Sequence, residues 1–286
     1  MNIHRIVAVT VFLLLLGVSA QAQLTFTTID VPGAGYTSVQ GMNTAADLVG
    51  YYADYGGAPT HAFLYRAGTF TFFDYPGADS TVATAINDSG LIAGYADFGA
   101  TVKSFLYDGT TFTDITAGNR SDTTVWGMNN LGDLVGGAGT IYSTQGFAYR
   151  GGRFKKIAPP GSYVYVYSTG VNDSGAIVGW FTGDVDIHAF LYNHGVFTKI
   201  DFPGSTQTEA WDINDNGVVV GWYWSATYSG DLGFTLGKGH YSSFWYPSAK
   251  YTVPRAINLA DQTAGDYSFD GIVVHGFVAS ATSGDR

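Results

Sequence analysis

The chain has no cysteine and a single glutamate, Glu209, and charged residues make up only 13% of it. That charged share is about half the usual one. The missing cysteines exclude a disulfide scaffold and any Cys-ligated zinc or iron–sulfur site. One glutamate is too few for ordinary surface helices, and no stretch after the N-terminus carries a convincing helical period. With 13 Lys and Arg against 23 acidic residues the net charge is −10. Nucleic acid is not an expected partner, because binding its backbone needs clustered cations. No HExxH, GxSxG or complete P-loop pattern occurs, so no nucleophile or phosphate cradle can be named. What the chain has in abundance is glycine (39 residues) and aromatic side chains (16%). That composition belongs to a folded chain, not a disordered one.

Residues 1–22 read as a signal peptide. Arg5 supplies the positive region, residues 6–18 are an apolar run, and Ala20-Gln21-Ala22 is a small-x-small cleavage pattern. The run is shorter than the roughly 20 apolar residues that span a bilayer. The expectation is a mature chain of residues 23–286 with no membrane span, secreted or periplasmic. An exported chain without cysteine points to a bacterial source.

The mature chain follows one period. A marker Asn recurs at Asn43, Asn87, Asn129, Asn172, Asn214 and Asn258, in steps of 42–44 residues. Seven residues after each stands a glycine, from Gly50 to Gly265. A phenylalanine follows at Phe63, Phe105, Phe147, Phe190, Phe234 and Phe277. Each copy holds four short strand signals, A to D, separated by turn residues. In the fourth copy they lie near 166–171, 176–181, 188–192 and 196–201. Tight turns make neighbours antiparallel. Four antiparallel strands at this period predict an all-β fold, a six-bladed β-propeller as a single domain over 23–286. The last copy lacks its own D strand, and the chain begins with a spare one at 24–30. The N-terminal strand is therefore expected to close the ring. A β-solenoid is the alternative, but its end repeats should look like caps, and these do not.

His61-Ala62-Phe63-Leu64-Tyr65 and His188-Ala189-Phe190-Leu191-Tyr192 resemble the name-giving motif of the extracellular HAF-family repeats. The Asn-Asp-x-Gly turns and the Val-Gly-Tyr/Trp runs add to the resemblance. It covers essentially the whole mature chain, although four copies degrade the triplet and only the Phe is kept throughout. The resemblance implies architecture and export, and it implies no chemistry.

Function at one place on a symmetric ring should appear as broken symmetry. Three residues before each marker lie Gln40, Thr84, Trp126, Thr169, Trp211 and Arg255. Arg255 is the one cation in that column. Asp212 stands alone in the next column, which is otherwise Gly and Ala. Together with Glu209 these sit on strand A, the strand expected to line the central channel. Period-2 alternation places Glu209, Trp211 and Arg255 on one face and Asp212 on the other. Three readings stay open. The group is an inter-blade ion pair, a polar Trp-lined ligand pocket, or a catalytic acid/base pair.

The B–C and D–A connections should share one face of the ring. They carry Tyr36, Tyr55, Phe98, Tyr142, Tyr163, Trp224 and Tyr228 amid Gly, Ser, Thr and Asp. Rings beside carboxylates suit sugars or protein partners. The candidate ligand-binding residues are therefore Glu209, Trp211, Asp212, Arg255, Trp126 and Trp224. No cofactor is indicated. Calcium is a candidate only through Asp184-Val185-Asp186, and no DxDxDG loop is present. The leading expectation is a non-catalytic, monomeric binding module for a glycan or an exported protein. A structural envelope protein and a glycan-acting hydrolase or lyase are the alternatives.

Overall fold

A computed structural model describes residues 24–281, apart from 57, 117–121, 141–142, 162 and 184. The expected signal peptide lies outside the described residues, as do Tyr142 and Asp184. The described residues form 24 strands and no helix. They make six four-stranded antiparallel sheets, so the fold is a six-bladed β-propeller. Among the described residues, no helix is long and apolar enough to cross a membrane.

Blades 1 to 5 are each built from four strands consecutive in the chain, within residues 36–73, 80–115, 123–157, 166–199 and 208–244. Blade 6 has the order β1 (Leu24–Ile29), β24 (His275–Ala281), β23 (Thr263–Ser268), β22 (Tyr251–Ile257). Its outermost strand is β1 (Leu24–Ile29), which pairs along its whole length with β24 (His275–Ala281). The ring closes as expected from the two ends of the sequence. Closure leaves no half-built blade with an open edge at the seam.

The repeat markers now have physical roles. Each marker Asn organises an A–B turn. Asn43 Oδ1 accepts the N–H of Asp47, and Asn172 Oδ1 accepts that of Ala176. The same side chains reach the next blade: Asn129 Nδ2 donates to the Asn172 carbonyl, Asn172 to Asn214, and Asn214 to Asn258, at 3.0–3.1 Å. The marker Gly lies on strand B, against the inner strand. A Cβ on Gly50, Gly94, Gly136, Gly179, Gly221 or Gly265 would overlap a carbonyl oxygen of that strand. The marker Phe is the interior plug of each blade: Phe63, Phe105, Phe190, Phe234 and Phe277 are among the largest fully buried side chains. The core is thus spread over six layers between blades and has no single centre.

The inner strands are β2 (Tyr36–Met42), β6 (Ser80–Ile86), β10 (Thr123–Met128), β14 (Val166–Val171), β18 (Thr208–Ile213) and β22 (Tyr251–Ile257). Each carries a bulge at the same place. One residue drops out of register between Val39 and Gly41, Ala83 and Ala85, Val125 and Gly127, Ser168 and Gly170, Ala210 and Asp212, and Pro254 and Ala256. The bulged residues are Gln40, Thr84, Trp126, Thr169, Trp211 and Arg255, the same column that breaks the repeat. A bulge re-aims its side chain, and here all six line the central channel.

Candidate functional site

Two regions bring unusual residues together. The first is the channel. The Trp126 and Trp211 rings meet edge to face at 5.8 Å. The Arg255 guanidinium lies over the Trp211 ring, 4.3 Å from its centroid. Glu209 is held by two indoles: Trp211 Nε1 and Trp222 Nε1 both donate to its Oε2, at 3.1 and 3.0 Å. Burial pushes the Glu209 carboxyl up to about 7, against the opposing pull of Arg255 and the two indole N–H groups.

Of the three open readings, the inter-blade ion pair would join Glu209 to Arg255, and that is not the bond the structure makes. Arg255 Nε donates instead to Asp266 Oδ1, 3.0 Å away in its own blade. Ser38 Oγ donates to the same oxygen at 2.7 Å, and Gln40 Nε2 donates to Ser38 Oγ at 2.6 Å. Asp266 is almost fully buried. The sequence carried a signal for it: the residues after the marker glycines are Tyr51, Tyr95, Gly137, Trp180, Trp222 and Asp266, one acid among aromatics and a glycine.

The alternation expected for Asp212 also fails, because the bulge at Trp211 resets the pleat. Asp212 lines the channel as well. Its Oδ2 accepts the N–H of Ile257 from blade 6 at 3.0 Å, and its Oδ1 accepts that of Ile213 at 2.8 Å. Burial pushes this carboxyl up to about 6, against those two hydrogen bonds. The Thr84 and Thr169 hydroxyls donate to carbonyls of their own and the next blade. About 30 Å³ of free space remains at this level, and about 80 Å³ at the A–B mouth. That is room for a few waters, not for a sugar ring.

The second region is the loop face of blades 5 and 6. Trp224, the sixth candidate, is not brought to the channel. It is the last residue but one of β19 (Val219–Ser225) and is 37% exposed. Tyr228 (59% exposed) follows in the same B–C hairpin, and its ring lies 5.3 Å from that of Trp245 (43% exposed) in the D–A connection. Phe269 (52% exposed) packs edge-on against Tyr246 at 6.0 Å. Carboxylates flank the rings. Asp231 pairs with Trp224 across the hairpin, and Asp270 Oδ1 is fixed by the N–H groups of Ile272 and Val273. These bonds hold the exposed Asp270 carboxyl below its usual range. Lys250 Nζ donates to the Asp270 carbonyl at 3.3 Å. Trp245 and Phe269 were not singled out in the sequence, because a surface aromatic and a packing aromatic look alike there.

Among the described residues, no cluster of three or more His, Cys, Asp or Glu is arranged to hold a metal ion. His61, His188 and His275 sit one to a blade, each 2.8 Å from an aspartate.

No protein-family model matches the sequence, and no curated protein matches it. Solved structures do resemble it. TolB from Acinetobacter baumannii aligns with TM-score 0.57 at 12% identity, over 83% of this chain and 64% of that one. A gluconolactonase from Xanthomonas campestris aligns with TM-score 0.51 at 10% identity, over 87% and 88%. Virginiamycin B lyase from Staphylococcus aureus aligns with TM-score 0.51 at 11% identity, over 89% and 88%. At such identities these likenesses establish the class of protein, a β-propeller, and nothing about its activity.

Proposed function

We propose that this is an exported binding module that holds a glycan on the loop face of blades 5 and 6. The observation that carries the reading is that Trp224, Tyr228, Trp245 and Phe269 are left exposed on the B–C and D–A connections of blades 5 and 6, with the Tyr228 and Trp245 rings 5.3 Å apart. A soluble protein does not leave such a patch without use. Aromatic faces stack on the C–H faces of sugars, and the Asp231 and Asp270 carboxylates beside them are hydroxyl acceptors. Rigid blades beneath the loops keep the rings placed before the ligand arrives. The export part of the reading rests on residues 1–22 and on the HAF-like repeat.

The test is binding of purified residues 23–286 to a polysaccharide and glycan panel, with and without calcium. The expected result is saturable binding to at least one glycan, lost in Trp224→Ala or Trp245→Ala at unchanged melting temperature. A folded protein that binds no glycan overturns the glycan reading and leaves a protein as the partner for the patch.

A further inference from the structure

The repeat is also broken between blades 5 and 6, in the cross-strand pairs. Strand pairing sets an aliphatic residue of the second strand opposite a tyrosine of the third in four blades. The pairs are Leu48–Tyr65, Ile92–Tyr107, Leu134–Tyr149 and Ile177–Tyr192. Each tyrosine packs on a phenylalanine of the fourth strand, with ring centroids 4.4–4.7 Å apart. In blade 5 the pair is Val219–Leu236. In blade 6 it is Thr263–Ala279, so both partners have shrunk together.

The lost volume is visible. At this place the seam holds a cavity of about 250 Å³, walled by Leu24, Val218, Phe244 and Ile257, with Thr263 and Asp261 on the blade 6 side. Three hydroxyl residues of blade 5 complete the lining. Thr263 Oγ1 is buried and has no hydrogen-bond partner. A buried hydroxyl without a partner costs about 1–3 kcal/mol, and native structures rarely keep one without a reason. Asp261 is already engaged: its Oδ1 accepts the Asn214 amide N–H at 2.7 Å.

We propose that this seam cavity binds a small neutral aromatic molecule bearing one hydrogen-bonding group, of which a phenol is the simplest. The ligand takes the place that a tyrosine ring fills in blades 1 to 4; Thr263 Oγ1 does not open onto the cavity as it stands, and a turn of that side chain about χ1 brings it to the ligand's polar group. The size fits, since an apolar cavity of about 150 Å³ already takes benzene. The charge fits as well. No Lys or Arg lines the cavity to hold an anion, and a cation would lose its water for a mostly apolar wall. The site is separate from the loop face and stands or falls independently of it.

The test uses p-cresol, the side chain of tyrosine, titrated into the purified protein by NMR or calorimetry, with toluene and acetate as comparisons. We expect saturable p-cresol binding, weaker toluene binding and none for acetate. Ala279→Tyr rebuilds the pair of the sister blades and is expected to weaken p-cresol at least tenfold, with the melting temperature kept or raised. Thr263→Val keeps the shape and is expected to bring p-cresol down to the affinity of toluene. Ala279→Leu serves as the filling variant if Ala279→Tyr does not fold. Absence of saturable p-cresol binding at millimolar concentration overturns the proposal, and so does binding unchanged in the filled variant.

Discussion

Nδ1 of His275 lies 2.8 Å from Oδ2 of Asp30, across 245 residues of sequence. The same contact joins His61 to Asp74 and His188 to Asp201 within single blades, also at 2.8 Å. The N-terminal strand therefore reproduces the chemistry of an internal fourth strand at the point where the ring closes. Phe26 adds a ring against Phe277, with centroids 5.7 Å apart.

Removing residues 23–31 is expected to lower the melting temperature by about 10 °C or more, because each kcal/mol is worth about 2–4 °C in a chain of this size. The His275–Asp30 pair is a small part of that. Its side chains are 27% and 39% exposed, and pairs of that kind contribute about 0–1 kcal/mol. His275→Ala should therefore shift the midpoint little, and by about as much as His61→Ala. Thermal unfolding of the three variants checks this. Wild-type stability in the deletion variant would show that β1 does not close the ring.

The marker glycines predict a much larger effect from a single methyl group. A Cβ at Gly179 would overlap the Tyr167 carbonyl and press on the Phe190 ring. Neither is free to give way, since Phe190 is buried and Tyr167 sits in the β14 ladder. Gly179→Ala is expected to cost about 1–3 kcal/mol or more through forced backbone movement. Gly237→Ala, where the nearest atom is a Val218 methyl at 3.4 Å, is the control and should cost far less. Urea unfolding of the two variants separates the cases.

Much of this architecture is legible in the sequence. Blade number, strand order and ring closure follow from the Asn, Gly and Phe columns, because those residues solve the same packing problem six times. The column of Gln40, Trp126, Trp211 and Arg255 was visible as broken symmetry. Its bulge was not, because one extra residue on the inner strand leaves no mark in a hydrophobic pattern. That bulge is why Asp212 joins the channel wall. The partner of Arg255 was hidden for another reason. Opposite charges in a sequence do not say which pair meets, and Asp266, on the adjacent strand of the same blade, lies nearer in the fold than Glu209. The Thr263–Ala279 pair required the strand register, since a small residue alone does not announce a cavity.

The Arg255–Asp266 bond makes a prediction with a built-in control. The aspartate is almost fully buried and accepts from both Arg255 and Ser38. Asp266→Ala leaves a guanidinium in the channel without its counter-charge, a change that typically costs about 3–5 kcal/mol. Arg255→Met with Asp266→Leu removes both charges and should cost less than either single change. A double-mutant cycle by urea unfolding measures the coupling. Additive single and double variants would mean that the pair is not coupled in solution.

The last prediction concerns pH. Burial raises Glu209 from 4.5 to about 7 and Asp212 from 3.8 to about 6. For such groups the folded state binds the proton more tightly than the unfolded chain does. The stability this contributes is complete below the unfolded value and is lost as pH rises through the folded one. One pKa unit is about 1.4 kcal/mol, so Glu209 accounts for on the order of 3 kcal/mol between pH 4.5 and pH 7. The protein should melt at a higher temperature near pH 5 than near pH 8. Glu209→Gln keeps an acceptor for an indole N–H and cannot titrate, so its stability should fall less across that range. It should equal or exceed wild type at pH 8. The difference between the two proteins cancels every contribution they share, that of Asp212 included. Parallel pH profiles for wild type and Glu209→Gln would show that the Glu209 carboxyl is not displaced in the folded state.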